Sequence, residues 1–535
     1  MRIVSALLVI SCSIGAQDPA APFDVVIRGG TIINGTGEPA FSSDLGLRDG
    51  QIAAIGDLSG EATHSSLDAA GLVVAPGFID VHTHADNATS RPEAFNFLAM
   101  GVTTIITGNC GSSRADLGET FARLEKTGVS VNFASLIGHA TVRRAVLGLS
   151  KDAPTAAQLE EMQGLVEQAM RAGAVGMSTG LIYVPGTYAR TEELTALASI
   201  VGEFGGVYAT HMRNENDRVL EAIDEALAIG RDAGVPVQIS HIKASGKPNW
   251  GRSAQIVAKL REARAAGARV TADQYVYDAS STSLDVLFPS SELTIGRKAF
   301  AAKLESDEGF RRSMRAALMT KMKRVGFGDL SYCRIAYAPN NAELNGKTLP
   351  QAAAIRYQDD SKEGQARMAL DLFAQSKGRR VGMIYHTQSE KDVMTFMREP
   401  YVAVACDAGI RLRKSQSLPH PRGAGNNARM LGRFVRELGV VSLPEAIRKM
   451  TSLPARTFGL EGRGELRVGA AADVVLFDPE TVQDRATYDA PVLTPVGIPR
   501  VLVNGVVVVE DGRHTGARPG QVLRHQPDRA GRRGR

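Results

Sequence analysis

Cysteine is scarce in this sequence. Four cysteines in 535 residues (Cys12, Cys110, Cys333 and Cys406) stand at irregular distances, which excludes a disulfide framework. A membrane-spanning helix is excluded as well, because the N-terminal apolar run, residues 3–10, is far shorter than the roughly 20 residues that a span requires. An excess of one charge is also missing. The 62 basic residues face 57 acidic ones, interspersed through most of the length, for a net charge of +5, and such a balance argues against a nucleic-acid partner. There is no low-complexity linker and no repeat beyond an alternation of strands and helices. What is present is 44% hydrophobic content, enough for a large core with room for one smaller domain.

The two ends carry their own signals. Arg2 precedes the short apolar run, and small residues lead into Gln17-Asp18-Pro19, the pattern of a secretory leader over residues 1–20. Val9-Ile10-Ser11-Cys12 resembles a bacterial lipobox, which makes Cys12 the candidate for a lipid anchor, and the alternative is cleavage near Ala16. The expected location after export is the periplasm or a lipid anchor in a bacterial envelope. At the other end, Arg529, Arg532, Arg533 and Arg535 stand among glycines, so residues 524–535 read as a basic solvated tail.

Between the ends, apolar strand candidates alternate with helical stretches, the βα rhythm of a parallel sheet. The candidates are residues 77–84, 103–109, 131–137, 176–181, 207–212, 237–242, 270–275 and 401–406. This predicts a (β/α)8 barrel of the TIM type over residues 76–464, with an insertion or lid at about 287–379. Residues 23–75 and 465–523 alternate apolar and polar residues around Asp49-Gly50 and Asn504-Gly505, both hairpin signals. They predict a small β-sandwich domain built from both chain ends, into which the barrel is inserted.

Chemistry concentrates at strand ends. His82 and His84 close the first candidate strand two residues apart, so both imidazoles share one face. His211 and His241 close two later strands, 30 residues apart, and a barrel of roughly 250 residues spends about 31 on each strand-helix unit. Adjacent strands therefore bring these histidines to one rim. Cys110 follows the second strand and Asp407 the eighth. Zinc takes sulfur, imidazole nitrogen and carboxylate oxygen, so these six residues form a candidate metal and acid-base cluster. His139 and His386 are expected to line the pocket without acting in it. Arg213 and Glu215 are expected to pair and brace the rim. His64, His514 and His525 look incidental.

At this point the sequence resembles the amidohydrolase superfamily, and within it the D-aminoacylases (N-acyl-D-amino-acid deacylases). The stretches that carry the resemblance are Ala75-Pro76-Gly77-Phe78-Ile79-Asp80-Val81-His82-Thr83-His84, Gly108-Asn109-Cys110-Gly111, Ser178-Thr179-Gly180-Leu181, Tyr208-Ala209-Thr210-His211, Gln238-Ile239-Ser240-His241-Ile242-Lys243 and Asn249-Trp250-Gly251-Arg252. Most two-metal relatives bridge their metals with a lysine on the fourth strand. Here Gly176-Met177-Ser178-Thr179-Gly180 offers none, and Cys110 takes that place.

The resemblance implies hydrolysis of the linear amide of an N-acyl-D-amino acid, a small-molecule substrate. It implies one tight zinc site at Cys110, His211 and His241 and a weaker second site at His82 and His84, with Asp407 as the acid-base residue. It also assigns Tyr183, Lys243, Tyr275 and Arg422 to the substrate's free carboxylate. Two alternatives keep the fold and change the substrate, to a cyclic amide or to a dipeptide. A third is a metal-binding envelope protein without catalysis, against which the presence of Asp407 argues.

Overall fold

The computed structural model describes residues 21–411 and 416–526. The expected leader with Cys12 lies outside the described residues. No helix among the described residues is long and apolar enough to cross a membrane.

The barrel forms where β-branched and small apolar residues run together, because side chains stiff at χ1 suit the pleat. Val102–Thr107 is β-branched at every position and buried throughout, as a parallel strand covered on both faces must be. Phe78–Asp80, Val102–Thr107 and Asn132–Ser135 pair in one parallel sheet. Ile137–Gly138, Gly176–Gly180, Val207–His211, Val237–Ile239, Val270–Gln274 and Val402–Val404 pair in another. The chain passes between them at Leu136, so the third strand belongs to both and the barrel counts eight strands. The ring closes where the Cys406 N–H donates to Asp80 Oδ2 at 3.0 Å and the His84 N–H to the Ala408 carbonyl at 2.9 Å. Outer helices bury one face; Ala156–Ala172, for example, hides Met162, Val166, Ala169 and Met170 and starts at a Thr155–Gln158 capping box.

Strands from both chain ends make one continuous sheet in which Val73–Pro76 pairs antiparallel with Val474–Phe477. Phe23–Ile32 changes partner along its length, with residues 23–28 on Thr63–Asp68 and residues 31–32 on Val73–Val74. The sheet thereby folds over a core of Ile27, Leu45, Leu47, Val74, Leu476 and Leu502. Both hairpin signals hold: Asp49, Gly50, Asn504 and Gly505 all have positive φ, as a type I′ turn requires.

Two regions differ from the sequence reading. The insertion is wider than residues 287–379, beginning at Ser280–Ser283 and ending at Gly382–Tyr385, which pair antiparallel with Cys333–Tyr337 on the far side of Gly382–Tyr385. It has its own core, including Leu284, Phe300, Leu318, Ile335, Phe373 and Met383. Its first strand, Ser280-Ser281-Thr282-Ser283, carries no apolar residue and so gave no periodic signal.

Residues 524 and 525, expected in a solvated tail, belong to the folded structure. Residues 517–525 strap the amino-terminal end of the barrel: Val522 bridges to Phe133, the His525 N–H donates to the Gly173 carbonyl at 2.9 Å, and Arg524 pairs with Glu125. His525 is therefore a strap residue. A Cβ on Gly520 would lie 2.1 Å from the Val131 carbonyl oxygen, so Gly520→Ala should lift the strap and cost about 1 to 3 kcal/mol. Thermal melting checks this as a lowered Tm.

Candidate metal centre

The site lies at the carboxyl ends of the barrel strands, the face where such barrels place chemistry. The first strand ends earlier than the sequence suggested. His82 and His84 lie just beyond Asp80, on a segment held by the Thr83–Ala408 bridge. Their rings still meet, with centroids 5.6 Å apart. His211 ends its own strand, while Cys110, His241 and Asp407 sit two or three residues past theirs with positive φ of 53°, 36° and 47°. Left-handed backbone costs a non-glycine residue about 1 to 3 kcal/mol. The cost turns each side chain back over the barrel mouth.

Cys110 is the point of convergence. Its Sγ lies 3.3 Å from His82 Nε2, 3.6 Å from His241 Nε2 and 3.7 Å from His211 Nδ1. Tetrahedral zinc, with sulfur at about 2.3 Å and nitrogen at about 2.0 Å, sets S and N about 3.5 Å apart. All three sulfur–nitrogen distances are close to that separation. The group around the sulfur whose ligand atoms lie within 4.8 Å of one another is, however, His82, Cys110 and His241, while His211 groups with His241 and Glu215. His82 therefore stands nearer the thiolate than the sequence reading placed it. Burial pushes the Cys110 thiol up, but the His82 charge and the hydrogen bonds of His211 and His241 hold it well below the ordinary range, in the thiolate form that a metal takes.

A second group shares His82. His84 Nε2 lies 3.0 Å and His82 Nε2 3.6 Å from Asp407 Oδ1. Burial opposes protonation of His84, yet hydrogen bonding to Asp407 and Cys110 moves its pKa up to about 9. Burial likewise raises the Asp407 carboxyl, but the Arg422 guanidinium, 2.8 Å away, together with His82, His84 and His241 outweighs it and holds Asp407 well below the usual carboxylate range.

The four residues assigned to a substrate carboxylate surround this cluster. The Tyr183 ring stands 5.1 Å from that of His211, with its hydroxyl 3.0 Å from Thr282 of the insertion. The Tyr275 hydroxyl accepts from Gln388 at 2.6 Å, and the Arg422 guanidinium lies 4.4 Å over the Tyr275 ring. His420 fixes Arg422 by accepting its backbone N–H at 3.1 Å, while its other nitrogen lies 2.9 Å from the Ala279 carbonyl. Lys243 is buried, with its ammonium 2.5 Å from Glu215 and 2.7 Å from His241 Nδ1.

The expected Arg213–Glu215 pair does not form. Arg213 binds Glu225 at 2.9 Å, and Glu215 turns inward to His211, His241 and Lys243. Sequence reading also passed over two buried carboxylates. Asp273 lies 3.1 Å from His82 Nδ1 and accepts the His241 N–H at 2.8 Å; Asp80 accepts the His82 N–H at 3.0 Å, and burial raises its pKa to about 6. Asp80 is legible as the one carboxylate of an otherwise apolar strand, whereas Asp273 shares its strand with Thr271 and Gln274 and carries no such signal. His139 is tied to Glu193 at 2.8 Å, alongside Arg143, and His386 packs on Tyr488 with ring centroids 4.7 Å apart.

A family model described as amidohydrolase family matches residues 66–307 and 415–509. The chain is 37% identical over 532 residues to a D-aminoacylase of Alcaligenes xylosoxydans xylosoxydans, covering 95% of this chain and 99% of that protein. It is 36% identical over 531 residues to an N-acyl-D-glutamate deacylase of the same organism, covering 95% and 98%. Its structure is similar to the crystal structure of an N-acyl-D-glutamate deacylase from Bordetella bronchiseptica, complexed with zinc and a phosphonate inhibitor that mimics the tetrahedral intermediate of the reaction. That similarity has a TM-score of 0.78 and 37% identity, and covers 94% of this chain and 100% of the other.

Gly180, on the fourth strand, supports Cys110 from behind: a Cβ there would lie 2.1 Å from the Cys110 carbonyl oxygen. Gly180→Ala should displace the thiolate, and metal analysis should then find less zinc per chain in protein that circular dichroism shows to be folded.

Proposed function

This chain belongs to the amidohydrolase family, and from that premise we propose that it is a zinc-dependent hydrolase that cuts the linear amide of N-acyl-D-amino acids, releasing a carboxylate and a free D-amino acid. One observation carries the reading: the Cys110 cluster and the Asp407–Arg422 pair open onto the same barrel mouth. A metal-storage site needs no such acid-base carboxylate. The export expected from the leader around Cys12 belongs to this proposal too, on the strength of the leader pattern alone.

The metal reading is one zinc held tightly by Cys110, His211 and His241, with a weaker second ion at His82 and His84. A thiolate and two imidazoles suit zinc better than magnesium or calcium. At the second group the same nitrogens favour protons, since His82 and His84 both titrate above their ordinary range, and a metal must displace those protons. Zinc supplies Lewis acidity toward the amide carbonyl and makes a water molecule more acidic. Asp407, ionised at neutral pH, takes the proton of the attacking water and returns it to the leaving nitrogen. An amine leaves very poorly as an anion, so a single carboxylate must serve as base and then as acid.

Arg422 reads the substrate carboxylate. Its Nε and Nη1 are buried and make no hydrogen bond, and each unmade bond to a buried polar group costs about 1 to 3 kcal/mol. An anionic ligand removes that cost, and Tyr183 and Tyr275 add hydroxyls at the same mouth.

Release of free amino acid from N-acetyl-D- and N-acetyl-L-amino acids, with and without chelator, tests the activity; no release from any D-substrate overturns it. Cys110→Ala should lose the tight zinc and the activity. Asp407→Asn should keep zinc and lose turnover by about 10² to 10⁴, and a variant retaining a tenth of wild-type turnover removes Asp407 from the reaction. Arg422→Ala also disturbs Asp407, so the comparison is between substrates: the penalty should be about ten- to a hundredfold larger on the free carboxylate than on its amide.

A further inference from the structure

Behind two of the three histidines that face Cys110 lies a carboxylate that the hydrolytic steps do not use. Glu215 Oε1 is 3.1 Å from His241 Nδ1, and Glu215 Oε2 is 3.6 Å from His211 Nε2. These are the ring nitrogens turned away from the sulfur, because His241 meets Cys110 with Nε2 and His211 with Nδ1. One side chain therefore stands behind both rings on opposite nitrogens. It is reached from His211 by four residues of chain, as the strand ends and the loop turns back.

The tautomers decide what this carboxylate does. A neutral imidazole that gives one nitrogen's lone pair to a metal carries its proton on the other, and that N–H needs an acceptor. Around His241 Nδ1 the candidates are Glu215 and the Lys243 ammonium, the latter at 2.7 Å. An ammonium only donates. Were Lys243 to donate to Nδ1, the ring proton would sit on Nε2 and block the metal-facing position. His211 Nε2 makes no hydrogen bond as it stands, and the carboxylate facing it is Glu215. Lys243 Nζ, 2.5 Å from Oε1, is held by the same carboxylate.

We propose that Glu215 is the positioning residue of the zinc site: its two oxygens take the outward N–H groups of His211 and His241, fix both rings in the metal-binding tautomer, and engage the neighbouring Lys243 ammonium on Oε1, so that it donates there and not to His241 Nδ1. This rests on the centre assigned above to Cys110, His211 and His241. It also couples that centre to substrate. His241 and Lys243 share Oε1, so a substrate carboxylate that draws Lys243 away leaves Oε1 to His241 alone.

The test is zinc affinity of the full chain, measured by competition with a chromophoric chelator and therefore independent of turnover. Glu215→Gln leaves one acceptor oxygen and turns an NH2 donor toward the other histidine, so zinc binding should weaken about 10- to 100-fold. Lys243→Met removes the competing donor and should bind zinc as tightly as wild type or more tightly. The double variant E215Q/K243M has no unpaired buried ammonium, should fold if E215Q does not, and should bind as weakly as E215Q. Zinc affinity within about threefold of wild type in E215Q, or in the double variant where E215Q fails to fold, overturns the proposal, since lost outer partners cost more than that. So does a K243M variant as weak as E215Q, which would give the positioning role to Lys243. Cys110→Ala separates the two levels: unchanged zinc affinity there refutes the centre itself, whereas loss of zinc in C110A with none in E215Q refutes only the role of Glu215.

Discussion

A thiolate held at the mouth of a barrel is the constraint that the rest of this structure serves. Cys110 reaches its place through a left-handed backbone that glycine would adopt freely and cysteine does not. Gly108 and Gly111 flank it, both with positive φ, and Gly180 lets the fourth strand approach its carbonyl. The anion is then surrounded by the nitrogens of His82, His211 and His241 at 3.3 to 3.7 Å. A buried negative charge is stable only when paired and hydrogen-bonded, and these rings supply that pairing.

Around the thiolate the charges alternate. Asp407 faces Arg422, Glu215 faces Lys243, and Asp273 stands behind His82. Buried pairs of this kind contribute little net stability, because desolvation offsets much of their attraction. Their value is geometric. Removing one partner leaves the other charge buried and unpaired, so each side chain is confined to one position. The residues proposed to clamp a substrate carboxylate and those proposed to hold the metal are then parts of one network, joined at His241, Lys243 and Glu215.

The outer architecture supports that mouth from three directions. The sheet from the chain ends and the strap of residues 517–525 brace the barrel's lower part, where Asn132 donates to Asp473 at 2.9 Å. The insertion closes over the upper rim with its own core, and Tyr183 reaches it through Thr282. The root of the insertion also touches the clamp, since His420 links the Ala279 carbonyl to the Arg422 backbone.

Much of this was legible in the sequence. The eight strand candidates all carry barrel strands, and Asp49-Gly50 and Asn504-Gly505 make the turns their composition dictates. His82, His84, Cys110, His211, His241 and Asp407 meet at one rim because local pattern fixes where strands end and a parallel barrel brings those ends together. What the sequence could not decide is which long charged side chain meets which. Arg213 stands two residues from Glu215 and takes Glu225 instead, while Glu215 turns to two histidines and Lys243. Asp273, in a strand with Thr271 and Gln274, gave no signal, and the carboxylate of Asp80 is given its role only by its partners across the barrel. The polar strand Ser280–Ser283 forms only because Gly382–Tyr385 pairs with it. Strand ends follow from local residue preference and hydrophobic pattern; the partner of a buried charge follows from through-space distance and desolvation, which exist only once the chain is folded.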